Sequence, residues 1–462
     1  MDIIKIKKGL DIPVGGKPEK RVVDARSIRC YAVKPADVVG MNPRLLVAEG
    51  DPVAAGQTVV ADKNDERLAL TSPVDGVVHA IVRGEKRKLL EVRIEQSASA
   101  AQPELHGERF LKGSPCWWML RERPFGTIAN PDHSPKGIFV SMIDTNPLAP
   151  DMELALEGRI GELQAGLKAL ATLAPLHVCL HPEQDQLAKE VNCGIEGCEI
   201  HFIEGPHPSG NVGTQIAAIA PIAKGECVWT VGAQDVANIG RWMTTGLYRP
   251  ERVISVGGPS ARNPHHYRVV CGACVDQITD AQLMYSDYPA MTCDRSGTRI
   301  ISGSALSGTQ IAPDGYLGTY DQQITLLPEG NLHEAFGWIM PNFNKFSFSK
   351  TFVSGWMNLV KPLLPKGALE GLESYRFNTN LNGGRRPLMF TGDMERVFPF
   401  DIYPMQLIKA CIVGDIELQE KLGIYEVEPE DLALCEFIDP SKTDIQSIIR
   451  EALEALRKEA TA

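Results

Sequence analysis

The stretch Thr71-Ser72-Pro73-Val74-Asp75-Gly76-Val77-Val78 places a Ser-Pro turn and a glycine directly before a run of β-branched residues. The same pattern extends over residues 44–95, where Gly50, Gly56 and Gly76 interrupt short alternating runs of apolar residues. Strand-length runs separated by tight turns are typical of a compact β-barrel. We therefore predict an N-terminal β domain over residues 1–100.

This hairpin resembles the barrel-sandwich fold of biotinyl and lipoyl domains, in which a Ser-Pro-x-x-Gly-x-Val hairpin faces the hairpin that carries the modified lysine. Lys63, in Ala61-Asp62-Lys63-Asn64-Asp65, lies near that position. A swinging-arm lysine is one interpretation, but the residues that usually flank a biotinylated or lipoylated lysine are missing. We prefer an unmodified structural module, and the intact mass of the protein distinguishes the two.

Residues 101–256 alternate patterns of buried strands with patterns of helices. Strands are predicted at residues 137–143, 177–180, 199–203, 226–231 and 252–256, and helices at about 151–171, 183–191 and 234–245. Such alternation is typical of right-handed βαβ units that build a parallel sheet covered by helices. A Rossmann-like α/β domain is therefore expected over this range.

The rest of the chain, residues 257–462, divides into three predicted segments. Short strands with glycine-rich turns predict a small β-rich module at 257–330, and an aromatic and lysine-rich connecting segment follows at 331–380. Amphipathic patterns then predict a helical domain at 381–462, with helices near 406–413, 416–422 and 445–458. The predicted fold class is thus a multidomain α/β protein.

Composition narrows the class of protein. The chain has 462 residues and a net charge of −11, and it contains no block of lysines and arginines, so nucleic acid is not expected as a partner. Its 11 cysteines form no repeating framework and no secretory signal opens the chain, which indicates reduced thiols. The longest uncharged stretch, 205–223, contains three glycines and three prolines, so no transmembrane helix is predicted.

Motifs for nucleotide binding and catalysis are incomplete. No Gly-x-Gly-x-x-Gly occurs, and the glycine loops at 205–213 and 256–259 match no dinucleotide fingerprint. The loop Gly303 to Gly308 lacks the lysine of a phosphate loop, and His333-Glu334 lacks the second histidine of a zinc protease. We therefore predict no catalytic and no cofactor-binding residues in this chain.

Two cysteine pairs leave a metal site open as an alternative. Cys193 with Cys198, and Cys271 with Cys274, would together supply four thiolates to zinc or to an iron-sulfur centre. The pairs are far apart in sequence and the first spacing is loose. Buried free thiols are the preferred interpretation, so no metal ligands are predicted.

Several stretches resemble one protein family, the A subunits of the Na+-translocating NADH:quinone oxidoreductases. They cover the chain from end to end: Ile4-Lys5-Ile6-Lys7-Lys8-Gly9-Leu10-Asp11-Ile12-Pro13, Ala61-Asp62-Lys63, Met142-Ile143-Asp144-Thr145-Asn146-Pro147-Leu148, Gly337-Trp338-Ile339-Met340-Pro341 and Asn344-Lys345-Phe346-Ser347.

The resemblance implies a peripheral subunit on the cytoplasmic side of the bacterial inner membrane. It implies a part in quinone reduction coupled to Na+ export, with catalysis by the complex and not by the isolated subunit. FMN, FAD, riboflavin and iron-sulfur centres are expected in the partner subunits B to F, of which a membrane-embedded one is the expected contact. The alternative is a free-standing soluble nucleotide-dependent oxidoreductase, which would bind NADH or FMN by itself.

The same family is similar to the C subunit of Rnf-type complexes and to the flavin-bearing NADH subunit of complex I. This kinship implies that 257–330 is a β-grasp, soluble-ligand-binding module and that 381–462 resembles a ferredoxin-type domain. In the Rnf subunit, quartets of cysteines hold two iron-sulfur clusters, and the second quartet would fall here on Pro429, Leu432, Cys435 and Asp439. One cysteine cannot hold a cluster, so the domain is expected to lack its metal.

Two loops have the composition of a quinone contact, which needs an apolar slot with a few hydrogen-bonding groups. The predicted contacts are Phe125, Asp132, His133 and Lys136 in the loop 123–136, and His207 in the loop 205–213. Ordinary connecting chain is the alternative for both loops.

A docking face is predicted from charge and aromatic content. Residues 335–369 contain no acidic residue, although the chain is acidic, and they interleave aromatic rings with lysines. Such a surface suits a membrane-embedded partner or an anionic leaflet, whereas the alternative is a core segment crossing between domains. The predicted docking residues are Lys345, Phe346, Phe348, Lys350, Phe352 and Trp356.

Overall fold

A computed structural model describes residues 3–25, 28–97, 111–191, 194–279, 297–330, 345–349 and 374–460. Within these ranges the chain forms four β-sheets and a C-terminal group of helices. The strands are β1 (Ile3–Lys5), β2 (Val22–Asp24), β3 (Cys30–Val33), β4 (Pro43–Leu45), β5 (Pro52–Val53), β6 (Thr58–Asp62), β7 (Ala69–Thr71), β8 (Gly76–Arg83), β9 (Leu89–Gln96), β10 (Arg121–Arg123), β11 (Thr127–Ile128), β12 (Ile138–Ser141), β13 (Leu176–Leu180), β14 (Cys198–Glu204), β15 (Val228–Gly232), β16 (Glu251–Gly257), β17 (His265–Val270), β18 (Thr298–Ser302), β19 (Thr309–Ile311) and β20 (Gln323–Pro328).

Most of the α-helices in the described ranges are shorter than ten residues. They are α1 (Met152–Leu156), α2 (Ile160–Ala171), α3 (Asp185–Val191), α4 (Val212–Ile219), α5 (Ala233–Thr245), α6 (Val275–Thr279), α7 (Met394–Val397), α8 (Pro404–Val413), α9 (Ile416–Lys421), α10 (Ala433–Ile438) and α11 (Ile445–Ala460). Single 3-10 turns lie at Pro35–Asp37, Glu85–Arg87, Trp117–Met119, Ile424–Glu426 and Pro429–Leu432. Among the described residues, no helix combines the length and the apolar character needed to cross a bilayer.

Two small sheets build the N-terminal β domain. One has the strand order β3-β9-β8-β5, and the other has the order β4-β6-β7. Val60, Leu70, Val78 and Val92 are almost fully buried in one hydrophobic cluster. Gly76 opens β8 at a place where a Cβ atom would clash with the carbonyl oxygen of Glu95, which explains the glycine in the hairpin.

A seven-stranded sheet has the order β1-β14-β13-β12-β15-β10-β11. The first five strands are parallel, and β10 and β11 continue the sheet as antiparallel strands. The chain's own beginning supplies its edge, because Ile4 in β1 lies opposite Ile203 in β14. Helices α2 and α5 pack on the face that presents Val140, and α4 packs on the opposite face, which presents Phe139.

A six-stranded sheet has the order β19-β18-β20-β16-β17-β2. The sequence pattern places residues 252–256 in the α/β domain, but this placement is wrong, because β16 pairs with β17 and β20 in the second sheet. All seven residues of β16 are buried. A strand buried on both faces has the same apolar pattern in either sheet, so its sequence does not tell which sheet it joins.

The C-terminal helices enclose a hydrophobic cluster of their own. Helix α11 buries Ile445, Ile449, Leu453 and Leu456, which recur at the three- and four-residue spacing of one helix face. Residues from the beginning of the chain also enter this cluster, among them Ile12 and Val14. Residues 3–24 therefore contact three parts of the structure, namely the seven-stranded sheet through β1, the six-stranded sheet through β2 and the C-terminal helices through Ile12 and Val14.

Helices α2 and α5 approach closely through two glycines. A Cβ atom on Gly166 would clash with the backbone of Val236, and one on Gly240 would clash with the backbone of Glu162. Both positions therefore require glycine for packing, although glycine in a helix interior is locally unfavourable.

We predict opposite effects for two glycine-to-alanine changes in this helix pair. Gly240→Ala forces the helices apart and should lower the free energy of unfolding by about 2–3 kcal/mol. Gly161→Ala, in α2 with no atom near its Cβ position, should raise it by about 0.5–1 kcal/mol. Urea unfolding followed by tryptophan fluorescence measures both, and equal effects of the two changes would contradict this packing.

Candidate functional site

The order of the parallel strands reverses between β12 and β15, which are neighbours in the seven-stranded sheet. Open α/β sheets bind ligands at such a switch point, outside the carboxyl ends of the strands. Here the carboxyl ends lead into residues 142–151 after β12 and into the first turn of α5 after β15. These segments define the first candidate region.

A strand of the second sheet occupies this region. The side-chain amide of Gln234, in the first turn of α5, donates to the carbonyl of Val253 at 2.9 Å and accepts from its N–H at 2.7 Å. The same amide donates to Gln322 Oε1 at 2.9 Å. Gln234 and Val253 are both buried, so the amide takes the place of a neighbouring strand for β16.

The loop after β12 is fixed by the same sheet. Ser255 Oγ donates to the carbonyl of Leu148 at 2.6 Å, and Gln323 Nε2 donates to the carbonyl of Pro147 at 3.0 Å. Leu148 has a φ of 67°, a left-handed conformation that is unusual for leucine. The crevice at the switch point is thus filled by the chain's own loop and sheet.

His207 lies after β14, next to this loop, and is only 2% exposed. Its Nδ1 lies 3.1 Å from Thr145 Oγ1, and its backbone N–H donates to Asp11 Oδ1 at 2.9 Å. The Thr145 hydroxyl accepts from the N–H of Gly210 at 2.9 Å, so it links the backbone of Gly210 to the imidazole. Burial lowers the pKa of His207 to about 4, which keeps the ring neutral.

Asp144 is a polar residue that the sequence analysis did not predict as a site residue. It appears there only within the stretch 142–148 that resembles the family. Burial raises the pKa of its carboxyl, although the N–H groups of Asn146 that donate to Oδ1 at 2.9 Å offset part of this effect. A carboxyl with a raised pKa beside the carboxyl end of a parallel strand is a marker of functional sites. The position of Asp144 three residues after a buried strand was the available signal.

The loop 123–136 is fastened along its length by polar contacts. Asp132 forms an ion pair of 2.6 Å with Arg67 of the N-terminal domain. Lys136 Nζ lies 3.1 Å from Glu226 Oε2. These contacts fix the loop between the N-terminal domain and the seven-stranded sheet.

His133 belongs to a group of metal-ligand types. Its Nδ1 lies 2.9 Å from Glu122 Oε1, and Cys227 completes a set of three ligand atoms within 4.8 Å of one another. The second oxygen of Glu122 accepts from Trp229 Nε1 at 2.9 Å and from the N–H of Asn130 at 3.2 Å. Burial raises the pKa of the Cys227 thiol to about 11, with a further rise from Glu122, so the thiol is protonated at neutral pH.

Phe125 lies at the other end of this loop and faces the C-terminal helices. Its ring is edge-on to Tyr425 at 6.4 Å, and its carbonyl accepts from Arg450 at 3.0 Å. The structure therefore brings Asp132, His133 and Lys136 together on one loop and places His207 in a different, buried contact. The quinone contacts stay a prediction for all five residues.

A buried ionic network joins β10 to the C-terminal helices. Arg123 is 2% exposed and donates to Asp431 Oδ2 at 2.8 Å and to Glu430 Oε1 at 2.7 Å. Arg121 donates to Glu428 Oε2 at 3.0 Å. Burial alone would raise the pKa of Glu428, but the guanidinium groups of Arg123 and Arg121 outweigh it and lower this pKa.

A cleft of about 290 Å³ opens between the N-terminal domain and residues 113–115. Its lining contains Arg67, which forms the ion pair with Asp132. Neither Asp144 nor His207 belongs to the lining. Ligand pockets are usually lined by apolar side chains with a few polar groups, whereas small and polar side chains line this cleft. The polar groups around Thr145 and Glu122 are therefore the better candidates for a functional site.

The predicted docking face is described in part. The ring of Phe346 is half-buried, with centroids 5.6 Å from Tyr375, 5.7 Å from Phe377 and 5.9 Å from Phe437. Phe348 lies under the guanidinium of Arg396 at 4.8 Å. Lys345 is half-buried, whereas Lys350, Phe352 and Trp356 lie outside the described residues. The docking role stays a prediction.

The two cysteine pairs are described in part as well. Cys271 and Cys274 are buried free thiols, and burial raises the pKa of Cys271 to about 11. Cys198 is half-buried, and Cys193 lies outside the described residues. Among the described residues, the groups of metal-ligand type that come together are Glu122 with His133 and Cys227, and His177 with Glu199 and His201.

Comparison with known families gives three matches along the chain. Residues 4–97 match the NqrA N-terminal barrel-sandwich hybrid domain, 106–248 match the NqrA second alpha/beta domain, and 253–312 match the NQRA C-terminal domain. The predicted N-terminal barrel-sandwich domain is confirmed.

Curated relatives cover nearly the whole chain. The chain is 38% identical to the A subunit of the Na(+)-translocating NADH-quinone reductase of Neisseria meningitidis serogroup B, over 99% of this chain and 100% of the relative. The proteins of the same name from Actinobacillus succinogenes and Haemophilus influenzae are 37% and 36% identical over the same shares. A crystal structure of NAD+-reducing [NiFe]-hydrogenase aligns with 42% of this chain and 41% of its own, with 13% identity and a TM-score of 0.31.

We predict that Arg123→Ala destabilises the contact between β10 and the C-terminal helices. The change leaves the buried carboxylate of Asp431 without its guanidinium partner and leaves Glu428 with Arg121 alone. Removing one partner of a buried pair costs about 3–5 kcal/mol. Arg44→Ala is the control, because Arg44 pairs with Glu66 at 2.6 Å on the surface and its loss should change stability little. Urea midpoints measure both, and equal shifts would contradict the network.

His207 makes stability depend on pH. Its folded pKa of about 4 lies below the unfolded value of about 6.5, so the unfolded chain binds the extra proton as pH falls between these values. The free energy of unfolding should drop by about 2 kcal/mol more between pH 7 and pH 5 in the wild type than in His207→Asn. Exposed His79→Asn is the control, and identical pH profiles of wild type and His207→Asn would refute this account.

Proposed function

The chain belongs to the family of A subunits of the Na(+)-translocating NADH-quinone reductases, and on this premise we propose that it is a peripheral subunit taking part in quinone reduction coupled to Na+ export. The single observation that carries the proposal is identity of 36–38% over 99% of the chain to proteins of that name. Catalysis then belongs to the complex. The alternative of a free-standing soluble oxidoreductase has no support among these relatives.

The filled crevice supports a chain without a dinucleotide of its own. At the switch point, three polar side chains donate hydrogen bonds to carbonyl groups of the chain's own backbone. They are Gln234, Ser255 and Gln323. A dinucleotide at this place would have to displace β16, which is entirely buried. We therefore propose that FMN, FAD, riboflavin and the iron-sulfur centres are held by partner subunits.

The C-terminal region is also packed where a cluster would need ligands. Leu432 and Cys435 are fully buried in the hydrophobic cluster, and burial raises the pKa of the Cys435 thiol well above its usual range. The carboxylate of Asp439 accepts from the N–H groups of Ser441 and Thr443, each at 2.9 Å. These residues do not fit an iron-sulfur cluster, which needs thiolates.

The finer domain description is part of the proposal. We assign a Rossmann-like α/β domain to 101–250, which is the predicted range without β16. We assign a β-grasp ligand-binding module to 251–330, which is the predicted range with β16 added. The helices of 381–462 then form a ferredoxin-type frame without clusters, preceded by the connecting segment 331–380. The family matches at 106–248 and 253–312 support a boundary near residue 250.

Location and partners complete the proposal. The chain would lie on the cytoplasmic side of the bacterial inner membrane and contact subunits B to F, a membrane-embedded one among them through the segment around Lys345. Quinone would contact Asp132, His133 and Lys136 in the loop that Arg67 and Glu226 fix, and Phe125 at the other end of that loop. His207, in the separate loop 205–213, is the remaining proposed contact. No nucleic acid is expected as a partner, given the net charge of −11.

Copurification from native membranes tests the function. The tagged whole chain should bring down membrane-embedded partners and an NADH:quinone reductase activity that requires Na+. The isolated chain should neither bind NADH or FMN at micromolar concentration nor turn over NADH. Recovery of the chain alone, with nucleotide bound and a substrate reduced, would favour the soluble enzyme instead.

The quinone contacts need a separate test within the purified complex. A photoreactive quinone should label peptides from the loop 123–136, and a quinone-site inhibitor should reduce this labelling. Labelling confined to other subunits would refute these contacts and leave the assignment to the complex standing.

A further inference from the structure

Two histidines and a glutamate meet on neighbouring strands of the seven-stranded sheet. His177 in β13 lies directly opposite Glu199 in the parallel strand β14, and His201 lies two residues further along β14. Residues two apart in a strand point to the same face, so all three side chains share one face of the sheet. His177 precedes Glu199 by 22 residues, which is why no spacing motif revealed the group.

The distances among the three ligand atoms are close to those of a metal site. His177 Nδ1 lies 3.1 Å from His201 Nε2, and Glu199 Oε2 lies 3.7 Å from each of these nitrogens. A tetrahedral Zn2+ with bonds of about 2.0–2.1 Å keeps its ligand atoms about 3.3–3.4 Å apart. The triangle therefore surrounds a point at bonding distance from all three atoms after shifts of a few tenths of an ångström.

Packing holds the two imidazoles in place. The side chains of His177 and His201 are 14% and 19% exposed, whereas that of Glu199 is 70% exposed. The ring of Phe139 lies 4.7 Å from the ring of His177. A Cβ atom on Gly137 would lie only 3.0 Å from the His177 ring, so glycine at this position gives the ring its space. Two ligands are thus fixed and the third faces solvent.

We infer that His177, Glu199 and His201 form a binding site for a divalent transition metal of the Zn2+ class. Two imidazole nitrogens and one carboxylate oxygen are a common protein ligand set for Zn2+, in which a water molecule completes the tetrahedron. The sequence alone predicts no metal ligand in the chain, so the site emerges only from the pairing of β13 with β14.

The site is distinct from the candidate region at the switch point. His177 and Glu199 are the second residues of β13 and β14, so they lie near the amino ends of these strands. Ligands of open α/β sheets bind at the carboxyl ends, where His207 and Thr145 lie. A metal at the amino end would link β13 to β14 and stabilise this edge of the sheet.

The other group of metal-ligand types is less suited to a free ion. Both oxygens of Glu122 already accept hydrogen bonds, one from the Trp229 indole and one in contact with His133. Cys227 would have to lose a proton on binding a metal. This group therefore serves as the alternative location in the experiment.

Zn2+ titration of the whole chain, freed of any affinity tag, tests the site. One Zn2+ per chain should bind in competition with a chromophoric chelator and should raise the thermal midpoint of unfolding. His177→Ala and His201→Ala should each weaken binding by at least about 100-fold, since even the loss of an outer-shell partner costs about 10- to 100-fold. Glu199→Gln, at an exposed position that leaves folding intact, should weaken binding by about 10-fold or more.

His181→Ala is the matched control, because His181 lies next to β13 and its acidic neighbour Glu183 is 3.9 Å away. It should bind Zn2+ as the wild type does. Co2+ in place of Zn2+ should give the visible bands of a four-coordinate ion without a thiolate charge-transfer band.

Three outcomes would overturn the inference. They are no competition with the chelator, binding unchanged in Glu199→Gln and both histidine variants, and a thiolate band that Cys227→Ser abolishes. The last outcome would move the metal to Glu122, His133 and Cys227. In the absence of a metal, the 3.1 Å contact of His177 with His201 is an ordinary hydrogen bond between two rings.

Discussion

The amide of Gln234 determines how the two large sheets fit together. It satisfies both the N–H and the carbonyl of Val253 in a region without access to water. A buried backbone group without a partner costs about 1–3 kcal/mol, so β16 cannot leave this position cheaply. Gln234 lies in the first turn of α5, at the switch point of the seven-stranded sheet. Its hydrogen bonds to Val253 therefore hold the six-stranded sheet against the crevice of the seven-stranded one. The packing of the two sheets and the filling of this crevice therefore have one physical origin.

Buried polar contacts also join the C-terminal helices to the rest of the chain. Arg123 connects β10 to the turn Pro429–Leu432 through two carboxylates, and Arg450 binds the carbonyl of Phe125 on the same loop. Such pairs contribute little net stability over an apolar contact, but a misplaced neighbour leaves a buried charge unpaired. They therefore favour one relative placement of the two units.

The sequence predicted the parts that local chemistry determines. The hairpin at Gly76 was readable because a tight turn before β-branched residues restricts the backbone, and the family match confirms that domain. The pairing of β16, by contrast, depends on an amide 19 residues away, and no local pattern encodes it. The burial of His207 depends likewise on Thr145 and Asp11, which lie far from it in sequence. The composition of a loop does not predict whether a residue such as His207 is buried or exposed, because its partners lie far away in the sequence.

A scaffold that gives up a ligand has to replace the contacts that the ligand made. Under the proposed kinship, Gln234 and Ser255 meet the backbone groups at the switch point, and Leu432 with Cys435 fills the apolar space of a cluster site. Asp439 caps the turn that follows by accepting two N–H groups. Each of these contacts uses the chain's own atoms, so under that kinship folding itself would close the sites. New chemistry on such a scaffold would have to arise where side chains still face solvent, as Glu199 does at the amino end of the sheet.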